Sequence, residues 1–336
     1  MKLNLQTTQL AATLYGVLLI FISSIAMADK LDYLMPGVVP APQNNQTTAE
    51  RVALGKALFF DPRLSGSNWI SCATCHNPLL GWSDGLATGI GHDMQKLNRA
   101  TPTILNSAYS QFLFWDGRAR SLEEQALGPI QSSKEMNQDL ESLVAELEAI
   151  EGYRQLFAAA YPDEGINKKT IGKAIAAFER TIISTESPFD KWLHGDGTAI
   201  SDSAKRGFEL FEGKARCAVC HFGFNFTDDG FHNTGIAASN DQGRYRIRKI
   251  AMMRGAFKTP TLRDITLTAP YMHNGIYTTL EEVIKHYNRG GDERKHLSPN
   301  IQPLNLSKQE MADLLAFLET LTSIKPAQIT LPQLPQ

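Results

Sequence analysis

Cysteine is scarce in this sequence, with four in 336 residues, and no excess of either charge is present, since 33 Lys and Arg stand against 35 Asp and Glu. The even balance removes the basic field that a phosphate backbone requires, so no nucleic-acid partner is expected. Past Ile25 there is no further apolar run long enough to cross a bilayer. Convincing period-two alternation is absent as well, which argues against a sheet-framed fold.

The few cysteines are all used in one pattern. They fall in Cys72-Ala73-Thr74-Cys75-His76 and in Cys217-Ala218-Val219-Cys220-His221. C-x-x-C-H is the attachment pattern of c-type haem: the two thiols add to the porphyrin vinyl groups and the histidine reaches the iron from one face. Two copies imply two covalent haems about 145 residues apart in sequence. Cys72, Cys75, Cys217 and Cys220 would be the attachment points, and His76 and His221 the proximal ligands. Three other readings compete. A four-cysteine zinc site usually has a shorter gap and gives no reason for a histidine after both pairs. Thioredoxin-like sites would need βαβ surroundings, and a disulfide across so short a loop is strained. The leading reading is a redox protein.

The N-terminus speaks to the compartment. Lys2, the apolar stretch from Leu10 to Ile25 and the Ala26-Met27-Ala28 sequence before Asp29 read as a signal peptide over residues 1–28. The stretch is short for a bilayer span, a retained anchor being the alternative. A periplasmic protein with no span after cleavage is expected. No cysteine follows the run to accept a lipid. About 308 residues then remain, enough for two domains: a haem domain over 29–195, a second over 196–325, and an extended tail over 326–336 rich in proline.

A weak internal repeat supports two units. Leu54-Gly55-Lys56-Ala57-Leu58-Phe59-Phe60 precedes the first motif and Arg206-Gly207-Phe208-Glu209-Leu210-Phe211 the second. Both read as a helix leading into a haem crevice, as in class I cytochromes c. Helical periodicity also runs through 139–160, through Lys168 to about Thr185, where Pro188 interrupts it, and through 307–321, where Ser307 and Glu310 form a capping box. The expected fold is mainly α, with two class I cytochrome c-like haem domains in tandem.

Several longer stretches resemble the bacterial di-haem cytochrome c peroxidase family across nearly all of the mature chain. They are Leu58-Phe59-Phe60-Asp61-Pro62-Arg63-Leu64-Ser65, Trp115-Asp116-Gly117-Arg118-Ala119, Glu124-Gln125-Ala126 with Gly128-Pro129-Ile130-Gln131, Phe257-Lys258-Thr259-Pro260-Thr261-Leu262-Arg263, and Thr268-Ala269-Pro270-Tyr271-Met272-His273. The resemblance implies that hydrogen peroxide is activated at the N-terminal haem while the C-terminal haem stores and relays electrons. Gln125 and Glu135 stand at the positions that handle peroxide protons, with Pro129 beside the cavity; by itself Glu135 reads as a solvated loop charge. His92, in Gly89-Ile90-Gly91-His92, stands where many of these peroxidases carry a ligand to the resting iron, though a lone loop histidine is more often merely exposed. Trp115 falls where the family places a tryptophan between the haems, and it would also serve as an ordinary core aromatic.

Tyr287 discriminates between branches. Peroxidases that draw on small cytochromes carry a methionine there as ligand to the second iron. A thioether favours the ferrous state and a phenolate the ferric one. His–Tyr ligation resembles the MauG-like branch, which completes tryptophan tryptophylquinone on a precursor protein; the flank Asp229-Gly230-Phe231-His232-Asn233-Thr234-Gly235 also looks like that branch, whereas His92 belongs to the other. Calcium between the haems is the family habit, through carbonyls matching Thr268 and Pro270. Its usual Asn ligand is Ala100 here, which weakens the expectation, and Asn98 is no more than a conceivable substitute. The implied partners are hydrogen peroxide and a redox protein: a small cytochrome, a copper protein or a protein substrate. A homodimer is common among such enzymes. The alternatives are a simple cytochrome c peroxidase that reduces peroxide to water and a non-enzymatic di-haem electron carrier.

Overall fold

The computed structural model describes residues 30–237, 239–325 and 329–336; the expected signal peptide, residues 1–28, lies outside them. The first half contains α1 (Ala49–Phe60), α2 (Cys72–Cys75), α3 (Leu122–Gln131), α4 (Leu140–Ala149), α5 (Glu151–Ala160), α6 (Lys168–Glu179) and α7 (Pro188–Leu193). The second half contains α8 (Asp202–Glu212), the short pair β1 (Phe231–His232) and β2 (Phe257–Lys258) with α9 (Tyr245–Arg248) between them, then α10 (Leu280–Asn288) and α11 (Lys308–Glu319). The strands pair antiparallel, Phe231 with Lys258 and His232 with Phe257. The fold is mainly α, with a cytochrome c-like helical core in each half.

The internal repeat has a physical basis in one helix crossing used twice. In the first half α1 crosses α6 at Gly55, where a Cβ would fall 1.8 Å from the Ala174 carbonyl oxygen. In the second, α8 crosses α11 at Gly207, where it would fall 2.0 Å from the Asp313 carbonyl oxygen. Only a residue without a side chain permits backbones so close. Each crossing is sealed by an aromatic pair one turn away: Phe59 meets Phe178 edge-on at 5.2 Å, and Phe211 meets Phe317 at 5.0 Å. All four rings are buried. The helices start where local chemistry says they should. Ser201 caps α8 by accepting from the Ala204 amide, and Ser307 with Glu310 closes the expected capping box on α11.

Three features depart from the sequence reading. The single helix expected over 139–160 is two, because Ile150 turns extended (φ −96°, ψ 115°) between α4 and α5. Helix α6 stops at Glu179, earlier than Thr185, and Pro188 opens α7 as its first residue instead of ending a run, with Ser187 and Asp190 as capping box. The two cores also exchange ends of the chain. Tyr33 is fully buried against Phe189, Phe208 and Phe226 of the second core, and its carbonyl accepts from Arg263 (3.1 Å). In return Ile329 packs on the first core, Pro335 accepts from Arg63 (2.9 Å) and the Gln336 carbonyl accepts from the Gly152 amide (2.9 Å). The described part of the tail, 329–336, is therefore an extended strap tied to the first half.

The crossing can be tested by adding a methyl group. Gly55→Ala and Gly207→Ala should each cost about 1–3 kcal/mol in chemical denaturation. Gly37→Ala, where a Cβ meets nothing within 4 Å, should stay within about 0.5 kcal/mol of the parent. Equal responses at the three positions would contradict the crossing.

Candidate functional site

Each C-x-x-C-H segment is a single tight turn at the mouth of a core. In the first, Ser71 and Thr74 cap α2 reciprocally, which sets Cys72 and Cys75 one turn apart with His76 as the C-cap. The His76 Nδ1 bonds the Trp82 carbonyl (3.1 Å), and in the second motif the His221 Nδ1 bonds the Phe226 carbonyl (2.8 Å). A backbone acceptor fixes the tautomer and leaves Nε2 free as a metal ligand. Burial pushes the His221 imidazole down to about 4 and lowers His76 as well, so both are neutral, as ligation requires.

The same burial pushes Cys75 up to about 11 and Cys217 up to about 12. None of the four forms a disulfide, and the two pairs belong to separate cores. Among the described residues one group of three candidate metal ligands gathers, Cys220 with Asp228 and His232. Its sulfur is the second motif's own, so it is no separate metal centre. The residues fit covalent haem at both places.

The second cleft is apolar. It is lined by Cys217, Cys220 and His221 and by one stripe of α10, Leu280, Val283, Ile284 and Tyr287, the spacing that puts side chains on one helical face. The sequence-predicted Tyr287 therefore shares a cleft with His221. Its rotation is set by the next-door His286, which is fully buried, donates from Nε2 to the Thr234 carbonyl (2.8 Å) and meets Tyr277 and Asp292 through Nδ1 (3.0 and 3.3 Å). Burial pushes the Tyr287 phenol above its ordinary value, so ionising it demands a positive charge in the cleft. Met272 lines the cleft too, beside His273, which stacks flat on Phe257 (3.7 Å).

Trp115 ties the halves together. Its indole donates to the Ala100 carbonyl (2.8 Å) in the first half, its own carbonyl accepts from the Lys258 amide of β2 (2.8 Å), and its ring lines the second cleft. The next residue, Asp116, was legible only as part of a motif; the structure gives it a job. Arg99 bridges Asp116 (2.8 Å) and Asp241 of the second half (2.6 Å), and Arg118 adds a second partner at 3.0 Å. Burial works against the Asp116 charge, but Arg118 and Arg99 hold its carboxyl below the usual range. Arg244 closes the same turn from beyond, donating to the Asp116 and Gly117 carbonyls (2.8 and 2.6 Å).

Around the first motif the chain gathers polar groups. Gln125 and Pro129 stand one turn apart on α3; proline lacks an N–H, so the Gln125 carbonyl has no helical partner there. The segment after α3 folds back, the Met136 amide donating to the Pro129 carbonyl (3.1 Å), and this brings Glu135 beside Cys75, whose thiol it helps to raise after burial and Asp84. His92 meets this loop through its backbone, the amide donating to the Glu135 carbonyl (2.8 Å). Gly91 allows the approach, since a Cβ would fall 1.9 Å from the Lys134 carbonyl oxygen. The His92 Nε2 accepts from Asn137 (3.1 Å), and its Nδ1 is buried with no partner. Thr268 rests near Gly81, and Ala100 donates its amide to the His273 carbonyl (2.8 Å). Asn98 is exposed, and the Asn274 Oδ1 is buried without a partner.

Two cytochrome-like cores, each with a haem-attachment turn and joined by a tryptophan-bearing turn, define a di-haem c-type redox protein. Residues 49–198 match the family model of di-haem cytochrome c peroxidase, and residues 204–322 match that of cytochrome c. Over 309 residues the chain is 51% identical to the methylamine utilization protein MauG of Methylorubrum extorquens, covering 91% of this chain and 87% of that one. It is 37% identical over 307 residues to the cytochrome c551 peroxidase of Nitrosomonas europaea, covering 90% and 87%. A solved MauG-like protein associated with microbial copper homeostasis superposes with a TM-score of 0.80 at 34% identity, over 86% of this chain and 95% of that one. The chain belongs to the di-haem cytochrome c peroxidase family, whose members are oxidoreductases.

Intact-mass analysis after acid extraction should show two haems retained per chain. Cys217→Ala with Cys220→Ala should leave one. A single haem on the parent protein would contradict the assignment.

Proposed function

We propose that this protein uses hydrogen peroxide to oxidise a partner protein, in the manner of the MauG-like branch. Reducing one peroxide to two waters consumes two electrons and two protons, and the partner supplies both electrons. The observation that carries this reading is Tyr287 in the same cleft as His221; 51% identity to a methylamine utilization protein supports the same branch. A haem held by Cys72, Cys75 and His76 would supply an iron for peroxide chemistry, and one held by Cys217, Cys220 and His221 would store and relay electrons.

The chain's own residues supply the rest. Glu135 takes the proton from bound peroxide and returns it to the leaving oxygen, while Gln125 offers an amide donor to the same oxygens. Pro129 keeps the fold-back that presents Glu135, its carbonyl accepting from the Met136 amide. His92 holds Glu135 in place through its backbone amide, and its imidazole would serve as a further ligand to an iron held at His76. Trp115, bonded to both halves, would pass an electron between them. As a phenolate, Tyr287 would hold the second centre oxidised, which would favour taking electrons from a protein side chain of tryptophan type over steady exchange with a small cytochrome. Export to the periplasm and a homodimeric state complete the proposal.

The simple peroxidase reading rests on Met272, which lines the same cleft. Tyr287→Met separates the two: the second haem should become easier to reduce, and turnover with a reduced small cytochrome should rise. An unchanged potential would remove Tyr287 from the iron.

Glu135→Gln should slow peroxide cleavage by about 10²–10⁴-fold with both haems still bound, read by stopped-flow absorbance. Unchanged cleavage would take Glu135 out of the mechanism.

A further inference from the structure

Between the two short strands the chain makes an excursion closed at its base by pairing of Gly243 with Ala256. From Gln242 to Arg263 it contains no acidic residue, although the whole chain has a net charge of −2. Residues 246–252 are all exposed. Three cations, Arg246, Arg248 and Lys249, have no carboxylate partner among the described residues, and Ile247, Ile250 and Met252 stand exposed among them at 42%, 47% and 69%. Unpaired charge beside exposed apolar side chains is the composition of a docking patch, not of a solvated loop.

The excursion is rigidly seated. Arg254 donates to the Tyr245 hydroxyl (3.0 Å) and lies over its ring (4.1 Å), and its carbonyl accepts from Asn233 (3.0 Å). Both legs end at the redox core. On one side Arg244 grips the carbonyls of the turn that carries Trp115; on the other the chain runs directly into Phe257 and Lys258, which line the second cleft, with Phe257 edge-on to Trp115 at 6.5 Å.

We infer that residues 246–252 form the docking surface for the oxidised partner, a protein that presents an acidic patch around an apolar centre. This rests on the proposed peroxide-driven oxidation of a partner protein. Charge decides the chemistry. The excursion is concentrated positive, and the remainder of the chain is correspondingly net acidic, so an acidic partner is drawn to this face and repelled elsewhere. Its electrons then enter where the legs meet Trp115 and the second cleft, two for each peroxide reduced to two waters.

The test uses the holoprotein and an Arg246→Glu/Arg248→Glu/Lys249→Glu variant, none of whose changed residues touches either cleft. The probes are an acidic reduced cupredoxin, a basic reduced cytochrome c and a neutral quinol. The parent should bind the cupredoxin with salt-sensitive affinity in calorimetry without peroxide and oxidise it faster than the cytochrome. The variant should lose about tenfold or more in kcat/KM for the cupredoxin and reverse its preference, with quinol-driven peroxide consumption unchanged. Ile250→Ser/Met252→Ser should weaken cupredoxin binding without changing its salt slope. Equal cupredoxin binding and oxidation by parent and triple variant would overturn the proposal. So would a triple variant whose only loss is sedimentation with phosphatidylglycerol vesicles, which would assign the patch to a lipid surface. Absence of quinol-driven peroxide consumption in the parent would instead refute the functional reading, and the calorimetry would still decide the docking.

Discussion

One guanidinium shared by two carboxylates holds the working geometry of this protein together. Arg99 reaches Asp116 in its own half and Asp241 in the other, with all three side chains largely out of water. Three charges in such a place are stable only as a complete set, because removing one partner leaves an uncompensated buried charge. The set fixes the Trp115 turn between the two halves. Arg118 and Arg244 close the same turn from either side. The exchanged chain ends, Tyr33 in the second core and Pro335 on the first, secure the halves at the periphery.

Within that frame the same scaffold gives two different clefts. Both halves use a glycine helix crossing, a capped C-x-x-C-H turn and a histidine whose Nδ1 is tied to a carbonyl. They diverge in what gathers around each attachment turn. The first half gathers groups able to move protons, Glu135 and His92 on two loops bonded to each other. The second offers an apolar wall with one phenol, aimed by a helix that the buried His286 keeps from rotating. The polarity around a haem is one lever a protein has over its chemistry, and here it differs between two related cores.

Much of this was legible in the sequence because its signals were local. The two pentapeptides, the repeated Gly-x-x-x-Phe that became the helix crossings, and the Ser307–Glu310 box each lie within a few residues. What escaped depended on distant contacts. No local pattern says that Ile150 will turn extended, that Gly91 exists to meet Lys134, or that Asp241 will complete a charge set with Arg99 across some 140 residues. Asn137, the partner of His92, gave no signal either. The one hint that could have been read was compositional: a stretch from Gln242 to Arg263 without a single acid in a chain of balanced charge.

In the proposed function Tyr287, rather than Met272, would share the second iron with His221, and both residues line that cleft. Resonance Raman spectroscopy of the resting ferric protein, with and without ring-deuterated tyrosine, tests it most directly. The account predicts tyrosinate modes that shift with the label and vanish in Tyr287→Phe. A near-infrared band of histidine–methionine ligation, lost in Met272→Leu, would contradict it.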